Sequence, residues 1–313
     1  MTEQVLVSVI IPTYKRTVAL VSRAVNSVRN QTYENVEIIV VDDSPADHPL
    51  RAEIAGYMAT VEDARVKYYQ NEKNLGGSLS RNRGIELAKG DYITFLDDDD
   101  EYMPEKVEKQ LEFMLSGGFD MTFSELIIYD ADGRVVDYRE YKDLSAFDKD
   151  TLLKYHLMKH LTGTPTFMFK ADKLREIGGF TDAIMGQEFY LMFKTIESGM
   201  KIGYFTHCHV KVYHHGGEAI SMGPNKIKGE LLLYDFKKKY FDRLSSSEQR
   251  AVRFRHHAVM TVAYKRNRKL FKMLGSGCVA ALSSPDLIVK EGIKYVKKVT
   301  HHQKKEGECE VKK

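Results

Sequence analysis

Long apolar runs are missing from this chain. No stretch reaches the roughly 18 uncharged residues that a bilayer-spanning helix needs. The start, Met1-Thr2-Glu3-Gln4, has neither the basic flank nor the apolar core of a secretion signal. Both absences predict a cytoplasmic protein. Cysteine is scarce as well: Cys208, Cys278 and Cys309 are odd in number and far apart, with no C-x-x-C spacing for zinc. Free thiols are expected. No internal repeat or low-complexity linker interrupts the sequence. What is present is an ordinary globular composition, 43% hydrophobic and 29% charged over 313 residues, enough for one large domain or two. The net charge of +3 hides an asymmetry. Lys and Arg number 25 against 35 Asp and Glu over residues 1–224, and 22 against 9 over 225–313, leaving −10 and +13. An acidic body carries a basic tail.

One stretch concentrates the chemistry. Residues 92–96, Tyr-Ile-Thr-Phe-Leu, read as a strand buried on both faces, and they end abruptly in Asp97, Asp98, Asp99 and Asp100. Ligands of open α/β sheets sit at the carboxyl ends of strands. Four adjacent carboxylates raise one another's pKa unless a cation sits among them, and a hard divalent ion bound through oxygen is the simplest reason to keep them. A solvated acidic turn opening a helix is the alternative.

The rest of the first hundred residues supplies a frame. Val5 to Ile11 is an apolar run broken by Pro12-Thr13-Tyr14-Lys15-Arg16, and Val18, Val21, Val25 and Val28 recur at helical spacing. A second strand, 36–41, stops at Asp42-Asp43-Ser44-Pro45. A helix over 50–61, a strand over 66–69 and a helix over 78–89, closed by Gly90 as its left-handed C-terminal residue, follow. This alternation predicts a doubly wound, mostly parallel sheet. Beyond it, Pro104 suits the first turn of a helix with Val107, Leu111, Met114 and Leu115 inward. Residues 119–129 and 134–138 read as strands joined by an Asp130–Gly133 hairpin turn. Strands are also expected over 164–169, 202–205 and 210–214, with helices over 171–177 and 187–198.

With these pieces in order, the chain resembles the inverting, nucleotide-sugar-dependent glycosyltransferases of family 2, which have the GT-A fold. The resembling residues are Ser8 to Arg16, Gln31-Thr32-Tyr33 through Asp43-Ser44, and Asn74-Leu75-Gly76 with Arg81-Asn82-Arg83-Gly84. They continue through Gly90-Asp91-Tyr92 into Asp97 to Asp100, then Gly178-Gly179-Phe180 and Gly186-Gln187-Glu188, covering roughly residues 5–221. The resemblance implies a GT-A catalytic domain over 1–223, with a nucleotide-sugar half to about residue 100 and an acceptor half after it. A basic, mainly helical extension over 224–313 completes the chain.

The family's chemistry then assigns roles. Magnesium or manganese would neutralise the leaving diphosphate, with Asp99 as main ligand and Asp97 or Asp98 facing the ribose or a metal-bound water. Asp100 reads as a helix-start charge. Pro12, Thr13 and Tyr14 would line the base and ribose. Asp43 would accept from the nucleobase, and Asp42 suits a local Asx-turn. Arg81 would pair with the diphosphate; a surface arginine is the competing reading. Glu188 takes the place of the family's general base, and here the commoner Glu-Asp pair reads Gln187-Glu188. A histidine near the end of the domain approaches the metal or diphosphate in related enzymes, and His214 and His215 fit equally.

The favoured donor is a uridine diphosphate sugar and the acceptor a glycan or lipid-linked glycan, as in cell-surface polysaccharide or glycoconjugate synthesis. A sugar nucleotidyltransferase would want a glycine-rich loop after the first strand, which Pro12-Thr13-Tyr14-Lys15 is not. A non-catalytic glycan- or nucleotide-binding protein would not need Asp43, Asp99 and Glu188 together. The tail sets Leu270, Phe271, Met273 and Leu274 beside Lys265, Arg266, Arg268, Lys269 and Lys272, and Val289, Ile293 and Val296 beside Lys290, Lys294, Lys297 and Lys298. Two readings fit: amphipathic helices resting peripherally on anionic lipid at the inner face of the cell membrane, or helices packed on the catalytic domain. No nucleic-acid recognition motif accompanies the charge.

Overall fold

The computed structural model describes residues 5–161, 163–214 and 223–288. Val289, Ile293, Val296, Cys309 and His215 lie outside the described residues.

The first half forms as expected. Strands β1 (Val7–Thr13), β2 (Val36–Asp42), β3 (Val66–Gln70) and β4 (Tyr92–Phe95) alternate with helices α1 (Val18–Arg29), α2 (Pro49–Ala59) and α3 (Gly77–Leu87). β1 pairs in parallel with β2 and β4, and β2 with β3. Both faces are covered. Ile10, Ile39, Ile93 and Phe95 point into one apolar core, whereas Val9, Ile11, Ile38 and Val40 meet Val21, Ala24, Val25 and Val28 of α1 on the other. That is why these strands read as continuous apolar runs. α3 lies so close to β1 that a Cβ on Gly84 would stand 2.4 Å from Ile10 Cγ2.

The second half adds β5 (Glu101–Tyr102), α4 (Lys106–Gly117), β6 (Met121–Tyr129), β7 (Val135–Arg139), α5 (Lys149–Lys159), β8 (Met168–Lys170), α6 (Ala171–Glu176), α7 (Gln187–Glu197) and β9 (Ile202–Tyr213). The sheet order is β3-β2-β1-β4-β8-β6-β9-β5, with β7 also on β6. β4 and β6 are both antiparallel to β8, and β6 is parallel to β9. The carboxyl ends of β1, β2, β4, β6 and β9 therefore share one edge.

Several expectations are corrected. Gly90 is not a left-handed helix end: α3 stops at Leu87 with Ala88 extended (φ −64°, ψ 133°). A Cβ on Gly90 would meet Ser8 Oγ at 2.6 Å and Leu6 O at 2.8 Å, so glycine is needed for close backbone approach. The expected strand 164–169 splits into a 3₁₀ turn (Thr164–Thr166) and β8, because Pro165 has no N–H for a ladder. The two strands expected over 202–214 are one, β9, carried across register shifts opposite β6. Leu115 is 51% exposed, since the buried stripe of α4 runs through Val107, Leu111 and Met114. Asp100 starts no helix; α4 begins at Lys106 and Asp100 is buried. α5 was not anticipated, although Asp148 caps it by accepting from Asp150 N (3.1 Å) and Thr151 N (3.0 Å).

After residue 223 come α8 (Gly223–Lys238), α9 (Ser246–Arg266) and α10 (Leu270–Ser283). A capping box starts α9: Ser245 N donates to Glu248 Oε2 (2.8 Å) and Glu248 N to Ser245 Oγ (3.3 Å). Leu233, Leu244 and Val252 enter the core that holds Phe189 and Leu191 of α7. α10 lies on α9 and turns Leu270, Phe271 (93% exposed), Leu274 and Leu282 (83%) outward. Among the described residues no helix is long and apolar enough to cross a membrane.

Lys106, the first residue of α4, is fully buried behind the acidic strand end. Its Nζ donates to the hydroxyls of Thr94 and Tyr102 (3.0 Å to the latter). Burial pushes its pKa well below the ordinary 10.5. The unfolded chain thus binds the extra proton, and stability rises with pH from the folded pKa up to 10.5. Lys106→Met should match or exceed wild-type stability by about 1–3 kcal/mol at pH 7. That difference should shrink as pH approaches 10. Urea unfolding at both pH values checks this; a marked loss of stability at pH 7 would show that the lysine is needed.

Candidate active site

Three loops meet at the shared carboxyl edge, and hydrogen bonds tie each to the next. Asp43 N donates to Thr13 O (2.8 Å), Lys15 N to Ser44 Oγ (2.8 Å), Tyr14 N to Asp98 Oδ2 (3.3 Å) and Leu96 N to Ile10 O (3.0 Å). Pro12, Thr13, Tyr14, Asp43 and the acidic run are thus brought together as expected. Thr13 is buried, and the Tyr14 ring is exposed with Lys15 Nζ 5.1 Å from its centroid. Asp42 forms the expected Asx-turn, accepting from Ser44 N (2.8 Å) and also from Tyr68 OH (2.6 Å).

Asp43 does more local work than sequence reasoning assigned. Its Oδ1 accepts from Asn71 Nδ2 (2.7 Å) and Leu75 N (2.8 Å), and its Oδ2 from Gly76 N (2.7 Å). The carboxylate organises the loop that leads into α3, and Oδ2 keeps a lone pair.

The acids are held by guanidinium groups. Arg16 bridges two of them, Nε to Asp98 Oδ1 at 3.0 Å and Nη2 to Asp99 Oδ2 at 2.6 Å. Arg81 Nη2 pairs with Asp97, while its Nη1 donates to Gln187 Oε1 (3.0 Å) and its guanidinium lies 5.5 Å from the Phe180 ring centroid. Arg81 is therefore no loose surface arginine. Arg23 Nη2 donates to the Asp99 carbonyl and stacks 4.1 Å over Tyr213. Asp100 accepts from Tyr213 N (3.1 Å). Burial, opposed by Arg16 and reinforced by Asp99, pushes Asp98 up to about 6. Burial and then the charges of Asp97 and Asp99 hold Asp100 well above the usual carboxylate range.

Gln187 and Glu188 open α7 after Gly186, whose φ of 74° only glycine adopts readily. The Arg81–Gln187 bond brings this helix start to the acidic edge. Glu188 is half-buried, next to Gln187. His214 follows β9; its N donates to Tyr129 O (2.8 Å) and it is exposed. Among the described residues no three His, Cys, Asp or Glu side chains form a group that could hold a metal ion by themselves; Asp97 pairs with Arg81, and Asp98 and Asp99 with Arg16. Arg16, Arg23, Asn71 and Gln187 are the polar residues that the sequence reading gave no role. Arg16 and Gln187 stand inside recognised motifs, whereas Arg23 lies mid-helix with no local signal.

Comparison with known proteins places this geometry. The profile described as Glycosyl transferase family 2 matches residues 8–178, more than half of the chain. An uncharacterised glycosyltransferase of Methanocaldococcus jannaschii is 30% identical over 197 residues, 63% of this chain and 66% of that protein. Escherichia coli WcaA, a glycosyl transferase assigned to colanic acid biosynthesis, is 28% identical over 78% of this chain and 85% of its own. Erwinia amylovora AmsB, an amylovoran biosynthesis glycosyltransferase, is 36% identical over 39% and 40%. The alignments thus span less than two thirds of some relatives' lengths. S. aureus TarS in complex with UDP-GlcNAc superposes with a TM-score of 0.57 at 17% identity, covering 85% of this chain and 89% of that one, which shows the shared fold.

The three bonds to Asp43 predict that Asp43→Asn, which must turn an N–H₂ toward one of its three donors, costs about 1–3 kcal/mol of stability. Urea unfolding checks this. A wild-type value would mean that the 71–76 loop is anchored elsewhere.

Proposed function

The chain belongs to glycosyl transferase family 2, and from that membership we propose that it moves a sugar from a uridine diphosphate donor to a hydroxyl of a glycan acceptor, with inversion, in the synthesis of a cell-surface polysaccharide or glycoconjugate. Relatives assigned to colanic acid and amylovoran synthesis support the setting. The uridine nucleotide is the kind that the fold neighbour TarS holds. The observation that carries the reading is the bridge Asp97–Arg81–Gln187, which ties the acidic sheet edge to the start of α7, where Glu188 follows Gln187.

In this reading Tyr14 and Pro12 flank the base and Thr13 the ribose, and the free lone pair of Asp43 Oδ2 accepts from the nucleobase. Magnesium or manganese fits the donor set, because Asp98 and Asp99 offer hard carboxylate oxygens that already share one cation, the Arg16 guanidinium. When bound, such an ion supplies charge neutralisation for the leaving diphosphate. Asp99 is its main ligand, with His214 or His215 as a further candidate. Arg81 faces the same diphosphate. Glu188 takes the proton of the acceptor hydroxyl as that oxygen bonds to the anomeric carbon. The bond from that carbon to the β-phosphate oxygen breaks on the opposite face, and its electron pair leaves with uridine diphosphate. The domain division at about residue 223 belongs to this reading, with the extension serving the acceptor side.

That extension is proposed to rest on anionic lipid at the cytoplasmic face, where a lipid-linked acceptor would be met. The support is the outward apolar stripe of α10, Phe271, Leu274 and Leu282, flanked by Lys265, Arg266, Arg268, Lys269 and Lys272.

Two experiments follow. Glu188→Gln keeps shape and hydrogen bonding but cannot take the proton, so uridine diphosphate release should fall by about 10²- to 10⁴-fold with donor affinity retained. Release from a panel of uridine diphosphate sugars, normalised to folded protein, measures it, and a wild-type rate would place the base elsewhere. Phe271→Glu with Leu282→Glu should abolish salt-sensitive cosedimentation with phosphatidylserine vesicles. Equal sedimentation of the variant, or none by wild type at low salt, would remove the membrane assignment.

A further inference from the structure

We propose that Arg16 is an internal counter-cation that occupies the cation seat between Asp98 and Asp99 in the nucleotide-free protein and must leave it when the donor arrives. The proposal rests on reading those two carboxylates as the seat of a divalent ion.

One guanidinium spans both acids, with Nε on Asp98 and Nη2 on Asp99 at 3.0 Å and 2.6 Å. The backbone aims it there. Lys15, the residue before, holds a φ of 52° without being glycine, a conformation that persists only where the surroundings impose it. They do so from both sides. Lys15 N donates to Ser44 Oγ, Ser44 N is fixed by Asp42 Oδ1 at 2.8 Å, and Tyr14 N donates to Asp98 Oδ2. The acidic edge and the second loop together set the turn that delivers Arg16.

Position makes the arginine removable. Its side chain is 35% exposed, while Asp98 and Asp99 beneath it are 8% and 20% exposed. The other guanidiniums differ: Arg81 is enclosed, anchored to Gln187 and packed near Phe180, and Arg23 holds the Asp99 carbonyl instead of its carboxylate. Arg16 is thus the cation that can swing into solvent while the acids stay in place.

Competition follows from the shared lone pairs. An oxygen of Asp98 or Asp99 engaged by a guanidinium is a poorer ligand for a divalent ion, and the guanidinium's charge repels that ion. A diphosphate offers Arg16 a better partner, since its oxygens match the guanidinium fork and carry more charge. Donor binding would therefore draw Arg16 off the carboxylates and open them. Nucleotide and metal then favour each other's binding by the same factor. Without nucleotide the site resists the ion, which keeps idle protein from holding metal in a half-built site.

The test is manganese binding, read by the electron paramagnetic resonance of free Mn²⁺, for wild type, Arg16→Gln and Arg16→Lys, each with and without uridine diphosphate. Circular dichroism confirms folding. Wild type should bind manganese weakly alone and about ten-fold more tightly with the nucleotide. Arg16→Gln should bind manganese alone about ten-fold more tightly than wild type, with most of the nucleotide-dependent gain gone. Arg16→Lys, which keeps the charge but loses the two-pronged bridge, should fall between, and it carries the test should the glutamine variant not fold. If all forms bind manganese with nucleotide but the variants match wild type without it, the counter-cation role is overturned and the metal reading survives. If wild type binds no manganese even with uridine diphosphate, both fail.

Discussion

Carboxylates cannot be stacked at the end of a buried strand without cations, and residues 97–100 put four of them there. Water cannot screen the inner two, since Asp98 and Asp100 are buried and burial pushes both toward the protonated form. The protein answers with guanidinium groups from other elements, Arg16 from the loop after β1 and Arg81 from α3, and with backbone donors, Tyr14 N on Asp98 and Tyr213 N on Asp100. Each answer fixes a different part of the chain against the same edge. The loop after β1, the helix α3 and the end of β9 are tied to that edge by these polar contacts as well as by their apolar packing.

α3 joins the two halves. One side lies on β1, where Gly84 lets it approach Ile10 closely. The other side holds the segment before α7. Asn82 Nδ2 donates to Phe180 O (2.8 Å), Phe180 N donates to Asn82 Oδ1 (2.7 Å), and Arg81 reaches Gln187. Gly179, at φ 57°, stands where a Cβ would come within 2.5 Å of Asn82 Oδ1. The acidic sheet edge at Arg81 and the start of α7 are therefore mechanically linked through one helix, and in the proposed function these are the donor and acceptor sides of a transfer between two substrates.

Of the two readings of the basic tail, packing on the rest of the chain describes α8 and α9. α8 and α9 are packed: Leu233, Leu244 and Val252 complete the core around α7, and Glu230 pairs with His256 at 3.1 Å. α10 is supported by α9 on one side and apolar on the other. The packing of α8 and α9 thus leaves the outward face of α10 available for the proposed surface attachment.

The local order of the first half was legible in the sequence because each of its elements carries its own periodicity. The buried parallel strands read as unbroken apolar runs, α1 as a valine stripe, and the acids as an abrupt end to β4. Family motifs located Pro12, Thr13, Tyr14, Asp43, Arg81 and Asp97 to Asp99 at one edge, where the fold gathers them. Less was legible after residue 100: β5, only two residues long, gets its hydrogen bonds from a distant partner and leaves no pattern of its own, and β8 was read only as part of a longer strand. α5 was missed because its buried residues follow no clean stripe. Which cation answers which carboxylate was beyond the sequence altogether. Arg16 and Arg81 are far from the acids along the chain, and Arg23 shows no local sign of its contact. Chain order and residue type determined the family, the strand ends and the stock of acids and bases. Only tertiary packing decided how they pair, because pairing depends on distances between loops that the sheet register sets and that no local stretch encodes.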